Sequence, residues 1–215
     1  MEKRSIKLQV SPGVGEVSGE YILPEDCEYL MTLAHGAGAG MHHAFLIELA
    51  AALAGVRTGT LRFNFPFMEG KKGRPDRPAV AHETVAAAIR HAHDAYPSLP
   101  LYVAGKSFGG RMTSQYLAVH PRPEVKGIVF YGFPLHPPGK PSTDRAAHLK
   151  DIAVPKLFLQ GTRDELAPWD LIYSVCSSLR KTRLVKIEGA DHGFKAGKRD
   201  VIGELARATA VWLER

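Results

Sequence analysis

Residues Leu101–Gly110 read LYVAGKSFGG, and the elements that they predict indicate the fold of the chain. Its first four residues form an apolar run that is too short for a helix and is typical of a buried strand. The chain then turns through GKSFG, which fits the pattern G-x-S-x-G. After the turn, Met112, Tyr116, Leu117 and His120 recur at three- and four-residue steps, as on one face of a helix. A strand, a serine in a tight turn and a helix predict a nucleophile elbow with Ser107 at its tip.

The glycines on both sides of Ser107 have a steric explanation. At Gly105 and Gly109, a side chain would collide with the strand or the helix. The pentapeptide also arises by chance, so a glycine-rich turn without chemistry is the alternative interpretation. A phosphate-binding loop of the form G-x-x-x-x-G-K-S is excluded, because its first glycine would fall on Pro100.

Length and composition indicate one globular domain over residues 1–215. The 45% hydrophobic and 23% charged content is ordinary for such a protein. The N-terminus shows no apolar signal segment, and no apolar run is long enough to span a membrane. The two cysteines, Cys27 and Cys176, form no C-x-x-C pair, which favours a reducing compartment and neutral thiols. We therefore expect a cytoplasmic protein without membrane contact.

The net charge of +6 is spread along the chain rather than concentrated in a nucleic-acid-binding pattern, so no nucleic-acid partner is expected. One local basic cluster stands out, formed by Lys71, Lys72, Arg74 and Arg77. Such a cluster is usually a solvated loop. The alternative is a rim that attracts anionic substrates.

The order of predicted elements indicates the architecture. Alternating apolar residues on either side of Pro12-Gly13 predict an N-terminal antiparallel hairpin. Strands are predicted at 29–34, 60–65, 101–104, 125–131, 156–160 and 183–187, and helices at 45–53, 85–92, 112–120, 169–179 and 201–213. This alternation predicts a mostly parallel, doubly wound α/β sheet with helices on both faces. No segment is long enough for a separate lid domain, so segments 65–77 and 133–150 should shape an open pocket.

A serine nucleophile needs a base and a carboxylate that orients the base. In a doubly wound sheet these groups lie at the carboxyl ends of strands. Asp164 follows the predicted strand 156–160, and His192 follows the strand that ends near Ile187. The chain order is therefore Ser107, Asp164, His192, which is the order of the α/β-hydrolase triad.

Other residues compete for these roles. Asp191 or Glu165 would be the alternative carboxylate, although Asp191 is close in sequence to the histidine that it would have to reach. The remaining histidines lack the H-E-x-x-H spacing of a zinc hydrolase. We therefore expect no metal and no cofactor.

An acyl-transfer intermediate needs backbone N–H donors for its oxyanion. The predicted donors are Phe108, which follows the nucleophile, and Ala37 in the loop after strand 29–34, with Gly38 as an alternative. The same loop resembles a dinucleotide fingerprint only in part, because its third glycine would be Met41.

Four segments carry a family resemblance: LAHGAGAG (33–40), GKSFGG (105–110), LQGTRDELAP (159–168) and GADHGF (189–194). Together they resemble the α/β-hydrolase superfamily, in particular dienelactone-hydrolase-like members. The subgroup that they resemble contains small lidless proteins related to a testis-expressed hydrolase-like protein and to a subunit of the NSL chromatin complex. The resemblance covers about residues 29 to 213.

The resemblance implies that Ser107 is the nucleophile, His192 the base and Asp164 the orienting acid. Ala37 and Phe108 would form the oxyanion hole. We also expect substrate contacts at His35, Gly36, Gly38 and Lys106. In this sequence Lys106 stands where esterases commonly have a bulkier or acidic residue, and Ser107 replaces the cysteine of dienelactone hydrolases.

The predicted function is a serine hydrolase of the carboxylesterase type, acting on a small-molecule ester or related acyl bond. One alternative is a catalytically silent interaction protein with the same fold, because the subgroup includes members of that kind. Another is an acyltransferase that uses the same three residues. The chain would act as a monomer or a homodimer.

Overall fold

One eight-stranded sheet organises the chain in the computed structural model, which describes residues 1–70 and 73–214. The strands are β1 (Glu2–Ser11), β2 (Gly15–Leu23), β3 (Tyr29–Ala34), β4 (Thr58–Phe63), β5 (Leu101–Lys106), β6 (Val125–Tyr131), β7 (Lys156–Gly161) and β8 (Thr182–Ile187). Their order across the sheet is β1-β2-β4-β3-β5-β6-β7-β8. Strand β2 pairs antiparallel with both β1 and β4, whereas every pair from β4 to β8 is parallel. The predicted hairpin and the mostly parallel sheet are confirmed.

Helices cover both faces of the sheet. They are α1 (Ala44–Ala54), α2 (Pro66–Glu69), α3 (Pro78–Ala95), α4 (Phe108–Val119), α5 (Trp169–Ser178) and α6 (Val201–Leu213), together with a 3₁₀ helix at Asp144–Asp151. On one face α1 and α6 bury Leu46, Leu49 and Leu205 against the sheet. On the other face α3 and α4 bury Val85, Ile89 and Met112. Because β3, β5, β6 and β7 lie inside the sheet with helices on both faces, they carry nearly continuous apolar runs, which is the pattern that predicted them.

The structure differs from the sequence prediction mainly at the ends of elements. Strand β4 spans Thr58–Phe63 rather than 60–65, and α3 begins at Pro78, well before the predicted 85. The segment after β4 also contains the short helix α2, which begins at Pro66, a residue favoured in the first helical turn. Lys71 and Lys72 of the predicted basic loop lie outside the described residues.

Two further expectations concern the thiols and the membrane. Cys27 and Cys176 are both free, and burial raises the pKa of each thiol, that of Cys176 to about 12. Both thiols are therefore neutral near pH 7, as predicted. Within residues 1–70 and 73–214, no helix combines the length and the apolar character needed to cross a bilayer.

Candidate active site

Ser107 stands on a strained turn between β5 and α4. Its backbone adopts φ 51° and ψ −113°, a conformation that is rare for a residue with a side chain. The flanking glycines make this turn possible: a Cβ at Gly105 would lie 2.2 Å from the backbone nitrogen of Gly110. A Cβ at Gly109 would lie 2.5 Å from the backbone oxygen of Ala34. The steric explanation for both glycines is confirmed.

The turn brings Ser107 to the two other residues singled out in the sequence. The distance from Nε2 of His192 to Oγ of Ser107 is 2.8 Å. On the other side of the ring, Nδ1 of His192 lies 2.7 Å from Oδ2 of Asp164. Because Oδ2 of an ionised carboxylate only accepts, the ring proton sits on Nδ1 and Nε2 offers its lone pair to the serine hydroxyl. Chemically, this arrangement can serve as a nucleophile, a base and an orienting carboxylate.

Asp164 is held in place by more than the histidine. It is only 2% exposed, and Nε2 of Gln160 donates to its Oδ2 at 2.6 Å. The backbone N–H of Leu166 donates to Oδ1 at 2.8 Å. Such contacts fix the carboxylate, so that it orients the imidazole without moving itself. The contribution of Gln160 was not predicted, because its position at the end of β7 is also that of an ordinary core residue.

The competing carboxylates face elsewhere. Oδ1 of Asp191 accepts the backbone N–H of Lys195 at 2.9 Å, which closes a local turn. Glu165 is exposed. Within the described part of the chain, Nδ1 of His192 bonds to Asp164 and to neither rival.

The predicted oxyanion donors lie beside the nucleophile. Ala37 and Ser107 line the same pocket, and Phe108 is the first residue of α4. Within the described residues, no hydrogen bond engages the backbone N–H of either Ala37 or Phe108. Within the same residues, no hydrogen bond engages the backbone N–H of Gly38 either, so the assignment of Ala37 rather than Gly38 as an oxyanion donor stays a prediction.

His35 is a correction to the sequence prediction, which gave it a substrate contact. The side chain is fully buried and packs edge-on against the rings of Phe65 and Phe67. Nδ1 donates to the carbonyl oxygen of Gly36 at 2.8 Å, and Nε2 accepts the N–H of Phe65 at 2.9 Å. Burial lowers the pKa of His35 to about 4, so the ring is neutral. His35 therefore ties the loop that carries Ala37 to the segment after β4.

Lys106 borders the same pocket as Ser107, so its predicted substrate contact stays a prediction. Its Nζ donates to the backbone oxygen of His192 at 2.6 Å. The ammonium lies 5.3 Å from the centre of the Phe194 ring and 6.0 Å from that of Phe45. Burial lowers the pKa of Lys106 to about 8, although the carboxylates of Asp164 and Asp191 favour its charged form. Lys106 thus supports the histidine loop from beneath.

A pocket of about 380 Å³ opens beside Ser107 and His192. Its floor is the Gly36–Ala39 loop, and its apolar wall includes Phe45, Leu46 and Leu166. Gly36 and Gly38 border it, as the sequence predicts. This size suits a small organic ligand. Within the described residues, no three His, Cys, Asp or Glu side chains are grouped to hold a metal ion.

Comparison with known proteins agrees with this fold. A family model described as "Alpha/beta hydrolase domain" matches residues 28–210. The chain is similar in structure to an α/β serine hydrolase homologue from Coxiella burnetii, with a TM-score of 0.80 and 23% identity over 99% of this chain and 98% of that chain. A dienelactone hydrolase from Anabaena variabilis gives a TM-score of 0.77 at 20% identity, over 100% and 98% of the two chains.

A third similar structure, from Xanthomonas campestris, is described as a member of the α/β serine hydrolases without lid. Its TM-score is 0.77 at 23% identity, over 99% of this chain and 95% of that chain. At such identities the likeness concerns the fold, which these proteins share with this chain over its whole length.

Proposed function

The chain belongs to the α/β-hydrolase domain family, and we propose that it is a serine hydrolase that cleaves an ester or related acyl bond. One observation carries the proposal: the continuous hydrogen-bond chain from Ser107 through His192 to Asp164. The absence of a long insertion among the described elements supports the related proposal that the chain groups with small lidless members of the family.

In the first half of the reaction, Oγ of Ser107 attacks the acyl carbon and Nε2 of His192 takes the hydroxyl proton. Asp164 stabilises the imidazolium that forms. The backbone N–H groups of Phe108 and Ala37 would donate to the oxyanion; each donor of this kind contributes about a hundredfold or more in rate. The protonated His192 then gives its proton to the leaving alcohol, and the acyl-enzyme remains.

In the second half, water releases the acid. His192 removes a proton from water, the hydroxide attacks the acyl carbon, and the proton returns to Oγ of Ser107. The side chain of His192 is 27% exposed, so water reaches the base without rearrangement of the loop. This exposure favours hydrolysis over transfer of the acyl group to another alcohol or thiol, which would require that water be kept out.

Labelling with a fluorophosphonate probe tests the proposal. Such a probe phosphonylates an activated serine, so wild type should be labelled, Ser107→Ala should not, and His192→Ala should react at least about a hundredfold more slowly. Ser114→Ala is a matched control, because Ser114 lies on the same helix with its hydroxyl bonded to His148. If the folded wild type is not labelled, the serine is not activated, and a role as an interaction protein is favoured instead.

A further inference from the structure

Ser107 also borders a second pocket. This pocket, which we call the arginine pocket, has a volume of about 340 Å³. Helix α4 supplies Phe108, Arg111 and Met112, and the 3₁₀ helix supplies Arg145. The segment before α3 supplies Asp76. As expected from the sequence, the segments 65–77 and 133–150 both contribute to its walls.

The two arginines of this pocket have no acidic partner within the described residues. Neither Arg111 nor Arg145 belongs to an ion pair there. Nε of Arg111 is buried and has no hydrogen-bond partner in the same part of the chain. The carboxylate in the pocket, Asp76, is already used: its Oδ2 accepts the backbone N–H of Phe67 at 2.9 Å. Partly buried guanidinium groups without a counter-charge are costly, and a bound anion would offset that cost.

Electrostatics at this site agrees with the geometry. Burial, and then repulsion by Arg145, lowers the pKa of Arg111, although a guanidinium stays charged at any physiological pH. The nearby His148 is neutral, because burial, followed by the charge of Arg111, lowers its pKa to about 4. The positive charge of the arginine pocket is therefore that of Arg111 and Arg145, reduced by Asp76.

We propose that the arginine pocket binds a carboxylate carried by the substrate, so that the preferred substrates are esters that also bear a free carboxylate. This inference rests on the proposed function, since it places the scissile carbonyl at Ser107. Two positive charges against one negative charge leave the pocket with one net positive charge, which matches a carboxylate better than a phosphate dianion. The planar guanidinium fork also matches a carboxylate in two parallel hydrogen bonds.

Ser107 and Arg111 line the same pocket, so a short acyl chain can connect the scissile carbonyl to a carboxylate there. Arg111 follows Ser107 by four residues on α4, which is about 6 Å along the helix axis. The probe is therefore an ester with a short acyl group that ends in a carboxylate. Mono-4-nitrophenyl succinate is such a compound, and its methyl ester is a neutral analogue of nearly the same shape.

The ratio of kcat/KM for mono-4-nitrophenyl succinate to that for its methyl ester measures the preference for an anionic ester, which the arginine pocket should confer. We expect wild type to prefer the anionic ester, and Arg111→Gln and Arg145→Gln each to reduce the preference about ten- to a hundredfold. Arg111→Lys should restore part of it, because it keeps the charge. Arg90→Gln is the matched control, since Arg90 is exposed on α3 and its replacement also removes one positive charge. A ratio that is the same in wild type and in both Gln variants would overturn the proposal.

A binding measurement separates this proposal from the proposed function. Monomethyl succinate is titrated onto the Ser107→Ala protein, which has no nucleophile, and onto the same protein with Arg111→Gln. Saturable binding that the second substitution weakens supports the arginine pocket even if neither ester is hydrolysed. No binding, or tighter binding of methyl phosphate, would contradict the assignment to a carboxylate. Fluorophosphonate labelling of Ser107 reports on the proposed function alone, so the two proposals fail separately.

Discussion

Replacing Lys106 by methionine should change how the stability of the protein depends on pH. Burial lowers the pKa of Lys106 from 10.5 to about 8 in the folded protein, whereas the unfolded chain keeps the ordinary value. Between these two pKa values the unfolded state binds more protons, so the free energy of unfolding of the wild type rises with pH. At 1.36 kcal/mol per pKa unit, the gain is about 3 kcal/mol in total, most of it by pH 10. Lys106→Met lacks this gain.

The assay is urea-induced unfolding followed by circular dichroism at pH 7, 8, 9 and 10, with wild type and Lys106→Met compared at each pH. Other titrating groups are common to both proteins, so their contributions cancel in the difference. We expect the wild type to gain about 2 to 3 kcal/mol relative to the variant between pH 7 and pH 10. Lys126→Met controls for the loss of an exposed ammonium. A difference that stays constant over this range would refute the buried position of the Lys106 ammonium beneath His192.

Three further substitutions test the geometry of the site. Gly109→Ala should lower the free energy of unfolding by more than about 2 kcal/mol in urea titrations, because its Cβ would meet the backbone of β3. Gly38→Ala is the control there, since nothing lies within 4 Å of its Cβ position, and an equal loss in both would contradict the steric argument. Asp164→Asn should reduce kcat about 10⁴-fold in an ester assay, because the amide would favour the tautomer of His192 that cannot accept the serine proton. Asp191→Asn should change kcat little. His35→Leu should lower kcat more than it raises KM; an effect on KM alone would indicate substrate contact instead.

Most of the fold was predictable because its signals are local. Most parallel strands are short apolar runs, the long helices show one apolar face, and the GKSFG turn joins β5 to α4 in a way that few folds share. Element ends were less predictable: the large apolar residues of α3 start at Val85, and its earlier part buries only Ala81 and Thr84, yet the helix begins at Pro78, a residue suited to the first helical turn. The helix propensity of the residues at a helix end is a weaker predictive signal than the apolar periodicity at its centre.

The site was predictable to the extent that it follows from strand order. Residues after the ends of parallel strands meet at one edge of the sheet, which brings Asp164 and His192 to Ser107. The partners of Lys106 and His35 could not be predicted, because each bonds to a backbone atom of a distant loop. Likewise, no local pattern indicates that Arg111 and Arg145, from two separate elements, share a pocket.

Trapping the acyl-enzyme would test whether Ser107 forms a covalent intermediate. The protein is mixed with 4-nitrophenyl acetate, quenched in acid within the first turnover, digested and analysed by mass spectrometry. We expect one acetyl group on the peptide that contains Ser107, and no such product in Ser107→Ala or His192→Ala. Rapid release of 4-nitrophenol without acetylation of Ser107, or acetylation that persists in Ser107→Ala, would contradict the proposed acyl-enzyme mechanism.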